Sequence, residues 1–269
     1  MSNIALSAIG FDADDTLWHN EDHFAATEEA FADLVAPWAS AELASETLLA
    51  TEIHNLELFG YGVKSFTLSM IEAAMELSRG EISSADLVML LERGKEMLAR
   101  PAEIISGVHD VLEQLSGSHR LVVITKGDLH HQERKVLASG VSHHFDAVEV
   151  VSEKDPQTYA RILHRYGIDP HRFLMVGNSF KSDIAPPLTL GSYGAHIPYA
   201  FTWAHEQAPA SNTDGELDSN RQAGPGAPGL GASGSPDNGN HESNYAHLRT
   251  FTLSTILEVP GLVAQIESR

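Results

Sequence analysis

A short apolar run, Ile4–Phe11, breaks into three carboxylates within four residues, Asp12-Ala13-Asp14-Asp15, followed by Thr16, Leu17 and Trp18. The run has the length and composition of a buried strand. A buried strand that ends in acids places them at the C-terminal edge of a parallel sheet, where open α/β folds bind ligands. Carboxylates so close together repel one another, and a hard cation such as Mg²⁺ is the simplest counterweight. Asp and Thr also suit a helix N-cap, but one acid is enough for a cap, and the pattern continues far downstream.

Four further apolar runs, Leu121–Thr125, Ala147–Val151, Phe173–Val176 and Tyr193–Ile197, alternate with helical patterns. This predicts an α/β fold with a Rossmann-like parallel-sheet core. Between the first two strands, residues 21–99 carry helical periodicity and almost no strand signal. One face holds Ala25, Phe31, Leu34 and Val35. The next three hold Leu48, Ile53 and Leu56; Leu68, Ile71, Met75 and Leu77; and Leu87, Leu90, Leu91 and Met97. The expectation is an all-helical domain at 19–100 inserted after strand one, with the core formed by 1–18 and 101–269. Residues 206–243, dominated by Pro, Gly, Ser, Asn and Asp, cannot bury enough apolar surface to offset chain entropy and read as a disordered surface insertion. An edge strand at 248–253 and a last helix at 254–266 follow.

Charge narrows the function. Thirty-seven acids face 17 bases, a formal net charge of −20. This argues against nucleic acid or an anionic membrane as the main partner. An anionic substrate must instead meet a local positive site made of metal, Lys and backbone N–H groups. The 15 His are scattered without paired metal-ligand spacing. Cys is absent, excluding disulfides and thiolate chemistry. No secretory signal or membrane span is visible, and the expected location is cytoplasmic.

Four motifs stand at successive strand ends. They are Asp12-x-Asp14-x-Thr16; Thr125 before Lys126-Gly127-Asp128; Lys154 within Ser152-Glu153-Lys154-Asp155-Pro156; and Gly177-Asn178-Ser179-x-x-Ser182-Asp183. In this order they resemble the haloacid dehalogenase superfamily of hydrolases, and the helical insertion resembles that superfamily's type-1 cap. The resemblance implies that Asp12 is the nucleophile, forming an aspartyl-phosphate. Asp14 would act first as general acid and then as base. Thr125 would bind phosphoryl oxygens and Lys154 would neutralise charge. Asp12, Asp14 through its carbonyl, Asn178 and Asp183 would hold Mg²⁺, and Thr16, Trp18 and Lys126 would lie on the substrate side.

Each residue alone has a plainer reading. Thr125 could be an ordinary strand end, Lys154 a solvated lysine, and Lys126 and Lys181 surface residues, with the Lys126 N–H near phosphate. Asp15 reads as exposed, at a position where many relatives carry Gly. Trp18 could equally wall a leaving group or pack inside. The loop Phe59–Phe66 could read substrate or be a plain turn. Asn178 departs from the usual Asp and supplies one negative charge fewer to the metal. The expected activity is Mg²⁺-dependent hydrolysis of a small phosphate monoester. A 2-haloacid dehalogenase, a phosphomutase and a non-catalytic metabolite binder are the alternatives. Dehalogenases release halide without a proton and lack an acid at position 14. Substrate identity and oligomeric state are not legible.

Overall fold

The computed structural model describes residues 5–199 and 249–269. The expected disordered insertion, 206–243, lies outside them. The core is a six-stranded sheet in which every recorded pairing is parallel, built from β1 (Ala8–Phe11), β4 (Arg120–Lys126), β5 (Ala147–Val151), β6 (Phe173–Gly177), β7 (Tyr193–His196) and β8 (Thr250–Thr252). The order is β5-β4-β1-β6-β7-β8. The central strand β1 is buried along its whole length, as expected of a strand covered on two faces. In register, Phe11 stands beside Val123 and Val176, so the ends of β1, β4 and β6 converge on one edge. On one face the core includes Leu112, Leu121, Leu174 and Ile266, and on the other Ile124, Tyr159, Ile162 and Phe173.

Core helices begin where side chains satisfy their first N–H groups. The helix α6 (Leu129–Ala138) is capped by Asp128, which accepts from His131 N at 2.9 Å. Asp155 caps α7 (Pro156–Arg165), accepting from Thr158 N at 2.7 Å, and Pro156 supplies the preset first φ. The other core helices are α5 (Val108–Ser116), the short α8 (Ala185–Leu188) and α9 (Val259–Glu267).

Four helices, α1 (Glu21–Val35), α2 (Ala41–Phe59), α3 (Val63–Leu77) and α4 (Ser84–Ala99), fill the segment between β2 (Trp18–His19) and β3 (Glu103–Ile104). They share their own core of Phe31, Val35, Leu48, Phe66, Met70, Leu90 and Met97. Ile53, Leu68, Met75 and Leu91, assigned to inner faces by periodicity, are exposed, because each lies off the narrower stripe that the neighbouring helices cover. The antiparallel pair β2–β3 has no counterpart in the sequence reading. Two residues per strand carry too little pattern to announce it.

Gly94 on α4 sits against Thr67 on α3, where an added Cβ would lie 2.1 Å from Thr67 Oγ1. Gly94→Ala should separate α3 from α4. The expected cost is about 1–3 kcal/mol, read as a melting temperature lowered by roughly 2–10 °C.

Candidate active site

The strand-end residues meet around Lys154. Its ammonium, on the connection after β5, donates to Asp12 Oδ1 at the end of β1 and to Asp183 Oδ1 at 2.6 Å. Lys154 is 4% exposed. Burial alone would strip its proton, but Asp12 and Asp183 hold its pKa above the ordinary lysine range. Burial pushes Asp12 up to about 7, Lys154 opposes this, and Asp183 adds to it.

Asp183 belongs to a π-turn, Phe180–Ile184, that follows β6. Its second oxygen accepts from Ser179 N at 2.9 Å. This places the carboxylate against Gly177, where a Cβ would stand 2.3 Å from Oδ2. Glycine is therefore the residue that lets Asp183 close on the strand end. Thr16 Oγ1 lies 3.3 Å from Asp12 Oδ2 and 3.5 Å from Asn178 Oδ1.

The donors available to a cation are hard oxygens: the Asp12 and Asp183 carboxylates, the Asn178 amide and the Asp14 carbonyl. Such a set suits Mg²⁺. Among the described residues no group of three or more His, Cys, Asp or Glu side chains is placed to hold a metal. That follows from Asn178 standing in for an acid and from the Asp14 carboxylate being engaged elsewhere.

The Asp14 carboxylate accepts from three side chains: Lys135 Nζ at 2.5 Å, Trp18 Nε1 at 2.6 Å and Gln132 Nε2 at 2.7 Å. Burial would raise its pKa, but these donors, Lys135 foremost, hold it below the usual carboxylate range. Gln132 Nε2 also reaches Thr125 Oγ1 at 3.2 Å, tying Thr125 to the same network. Lys135 Nζ contacts Asn20 Oδ1 at 3.0 Å.

Asp12, Asp14, Thr125, Lys126, Lys154, Asn178 and Asp183 line one cavity of about 170 Å³. Thr16 and Trp18 do not line it. Both were expected on the substrate side. Trp18 is 0% exposed because its ring packs in the sheet's core, and it reaches the cavity only through its bond to Asp14. Asp15, which reads as exposed in the sequence, is 3% exposed, with φ +62°. That left-handed turn explains why Gly suits the position. Here the carboxylate offsets the strain by accepting from Asn20 N at 2.9 Å and Glu21 N at 3.1 Å, where α1 begins. Lys181 is exposed, whereas Lys126 is half-buried and donates to Ser182 Oγ at 3.0 Å.

The loop between α2 and α3 touches the core. Tyr61 donates to Glu153 at 2.8 Å, Lys64 pairs with Asp128 at 2.9 Å, and Lys126 lies 4.2 Å from the centre of the Tyr61 ring. Sequence reasoning missed Gln132 and Lys135. Their one signal is i, i+3 spacing on α6, inside a His-His-Gln-Glu-Arg-Lys run that reads as solvated.

A Rossmann-like sheet that gathers an aspartate, a buried lysine and further acids at its strand ends defines a class of α/β proteins acting on ligands held there. The family of haloacid dehalogenase-like hydrolases matches residues 6–187. The chain belongs to that family and is a hydrolase. A haloacid dehalogenase-like hydrolase of Xanthomonas campestris is 34% identical in sequence and superposes with a TM-score of 0.77, covering 98% of this chain and 93% of that one. The 2-haloacid dehalogenase of Pseudomonas syringae pv. Tomato DC3000 shares the fold at 18% identity and TM-score 0.54, over 97% of this chain and 99% of its own. The glyceraldehyde 3-phosphate phosphatase of Methanothermobacter thermautotrophicus is 37% identical over 79 residues, 28% of this chain and 35% of that protein's length. No helix among the described residues is long and apolar enough to cross a membrane.

Burial beside Asp15, Asp14, Glu28 and Glu52 pushes Glu21 from its ordinary 4.5 up to about 8. The folded state therefore binds more protons than the unfolded state between these values, and stability falls as pH rises through that window. Glu21→Gln should raise the melting temperature at pH 8 and leave it nearly unchanged at pH 4.5, as scanning calorimetry across pH can check.

Proposed function

We propose that this hydrolase cleaves phosphate monoesters of small metabolites in a Mg²⁺-dependent reaction through an aspartyl-phosphate on Asp12. The observation that carries the reading is Asp14: a carboxylate facing the same cavity as Asp12 and fixed by three donors. Expulsion of an alkoxide needs a proton, and hydrolysis of the acyl-phosphate needs a base. Release of halide needs neither an acid at this position nor a phosphate site, so Asp14 counts against dehalogenation. The partial likeness to a glyceraldehyde 3-phosphate phosphatase points the same way.

In the first step an Asp12 oxygen attacks phosphorus, the P–O ester bond breaks, and Asp14 gives its proton to the departing oxygen. In the second, Asp14 takes a proton from water, water oxygen bonds to phosphorus, and the Asp12–phosphorus bond breaks to release inorganic phosphate. The donors around Asp14 favour its carboxylate form, the state required for the second step, so the first step draws on the minor protonated form. Lys154 keeps the attacking carboxylate from meeting an anionic phosphoryl group without a counter-charge. Thr125 Oγ and the N–H of Lys126 would bind phosphoryl oxygens. Mg²⁺, held by Asp12, the Asp14 carbonyl, Asn178 and Asp183, would supply positive charge to the phosphoryl oxygens when bound. We assign the four-helix unit as a cap whose α2–α3 loop closes the cavity, and the protein's setting as cytoplasmic.

Purified protein should hydrolyse para-nitrophenyl phosphate with Mg²⁺ and stop with EDTA. Asp12→Asn should lower kcat by at least about a thousandfold while its melting curve persists. Full activity in that variant would overturn the covalent route. Asp14→Asn should slow single-turnover phosphorylation by alkyl phosphates by about 10²–10⁴-fold, and by aryl phosphates much less. Asn178→Asp adds a carboxylate to a partly desolvated site and should lower the Mg²⁺ concentration for half-maximal rate.

A further inference from the structure

Positive charge in the cavity is confined to one side. The cations that line it, Lys126, Lys135 and Lys154, all come from the sheet core and its loops. The wall supplied by the helical unit carries Glu21, Glu28 and Glu52. Glu21 and Glu28 lie seven residues apart on α1, with Phe24 between them, on one face of the helix. The charges that act most on Glu21 are all carboxylates: Asp15, Asp14, Glu28 and Glu52. Among the described residues, neither Glu21 nor Glu28 has a hydrogen-bond or ion-pair partner for its carboxylate.

A second observation is independent of the acids. His131 and Gln132, 7% and 3% exposed, line the same cavity. Among the described residues, the buried His131 Nε2 and Gln132 Oε1 atoms have no hydrogen-bond partner. Such orphans are costly unless a ligand satisfies them. Burial, with Lys135 adding to it, pushes His131 down to about 4, so its imidazole is neutral at pH 7 and a ring nitrogen can accept. The unspent groups are therefore two acidic side chains, an amide oxygen and a neutral imidazole, all with atoms able to accept, and Glu21, protonated near neutral pH, would ionise on meeting a cation. Phe24 and Phe66 also line this wall, their ring centres 4.9 Å apart, and offer an aromatic surface to a cation.

We propose that this wall binds an ammonium group, so that the substrate is a phosphate monoester of an amino alcohol or amino sugar. The inference rests on the phosphatase reading for the other end of the substrate. An ammonium has three donors and no acceptor, the complement of the groups left open here. A polyol would satisfy some acceptors but bring no positive charge to the acids of α1. A zwitterionic ester also carries less net negative charge than a sugar phosphate toward a chain of formal charge −20.

The full chain with Mg²⁺ is assayed first on para-nitrophenyl phosphate, then on matched pairs: 2-aminoethyl against 2-hydroxyethyl phosphate, and glucosamine 6-phosphate against glucose 6-phosphate. The ammonium member of each pair should have a kcat/KM at least about tenfold higher. Glu28→Gln should bring that ratio to within about twofold, and Glu21→Gln serves if the first variant melts early. Calorimetry with 2-aminoethylphosphonate and propylphosphonate measures the same preference without turnover. Aryl phosphate hydrolysis with no ammonium preference overturns the inference and leaves the phosphatase reading standing. Absent hydrolysis with ammonium-selective binding overturns the phosphatase reading and keeps the cation site. A preference for the hydroxyl member in either assay overturns the cation site in favour of a polyol.

Discussion

The ammonium of Lys154, shared between Asp12 and Asp183, is the interaction on which the arrangement of the site depends. Three segments far apart in sequence must arrive together for it to exist: the end of β1, the connection after β5 and the turn after β6. Parallel pairing of β1 with both β4 and β6 delivers the ends on one edge. Gly177 leaves the space that Asp183 fills. A buried charge left without its partner costs several kcal/mol, about 3–5 in comparable cases. Exchanging one of the three alone therefore lowers stability, least for Asp12, because Lys154 then still keeps Asp183. The cluster couples the register of the sheet to the chemistry at its edge, because a one-residue slip of β6 would withdraw one of the two counter-charges.

The sequence made the core legible because its chemistry-bearing residues sit within a few positions of strand ends, and strands of four to seven residues are readable as apolar runs. Asp12, Asp14, Thr125, Lys154, Asn178 and Asp183 were found in this way and share one cavity. What escaped has a physical cause in each case. The burial of Asp15 depends on a positive φ and on two N–H groups of α1, neither of which leaves a pattern in composition. Trp18 stood next to the motif, but its indole faces inward and only its N–H emerges, at Asp14. Gln132 and Lys135 lie in a polar stretch whose solvated and inward positions differ only by a rotation about the α6 axis. The acids of α1 and α2 are hidden for the same reason: charge on a helix reads as a wet face until the partner surface is known.

That ambiguity matters for how the two parts of the cavity work together. The core supplies cations and Asp12, arranged by strand ends, while the helical unit supplies acids and aromatic rings, arranged by helix faces. Their covalent connection runs through β2 and β3, where Trp18 pairs with Ile104. Trp18 is at the same time one of the three donors to Asp14. The bond that helps set the proton affinity of Asp14 therefore starts from the strand pair on which the helical unit is mounted. Lys135 extends this tie, since its ammonium bridges Asp14 to Asn20, the residue that precedes α1. A change in the angle between helices and sheet would have to stretch one of these bonds before it altered any contact made by Asp12. By this geometry Asp14, rather than Asp12, registers the position of the helical unit, while the Lys154 cluster stays fixed within the sheet.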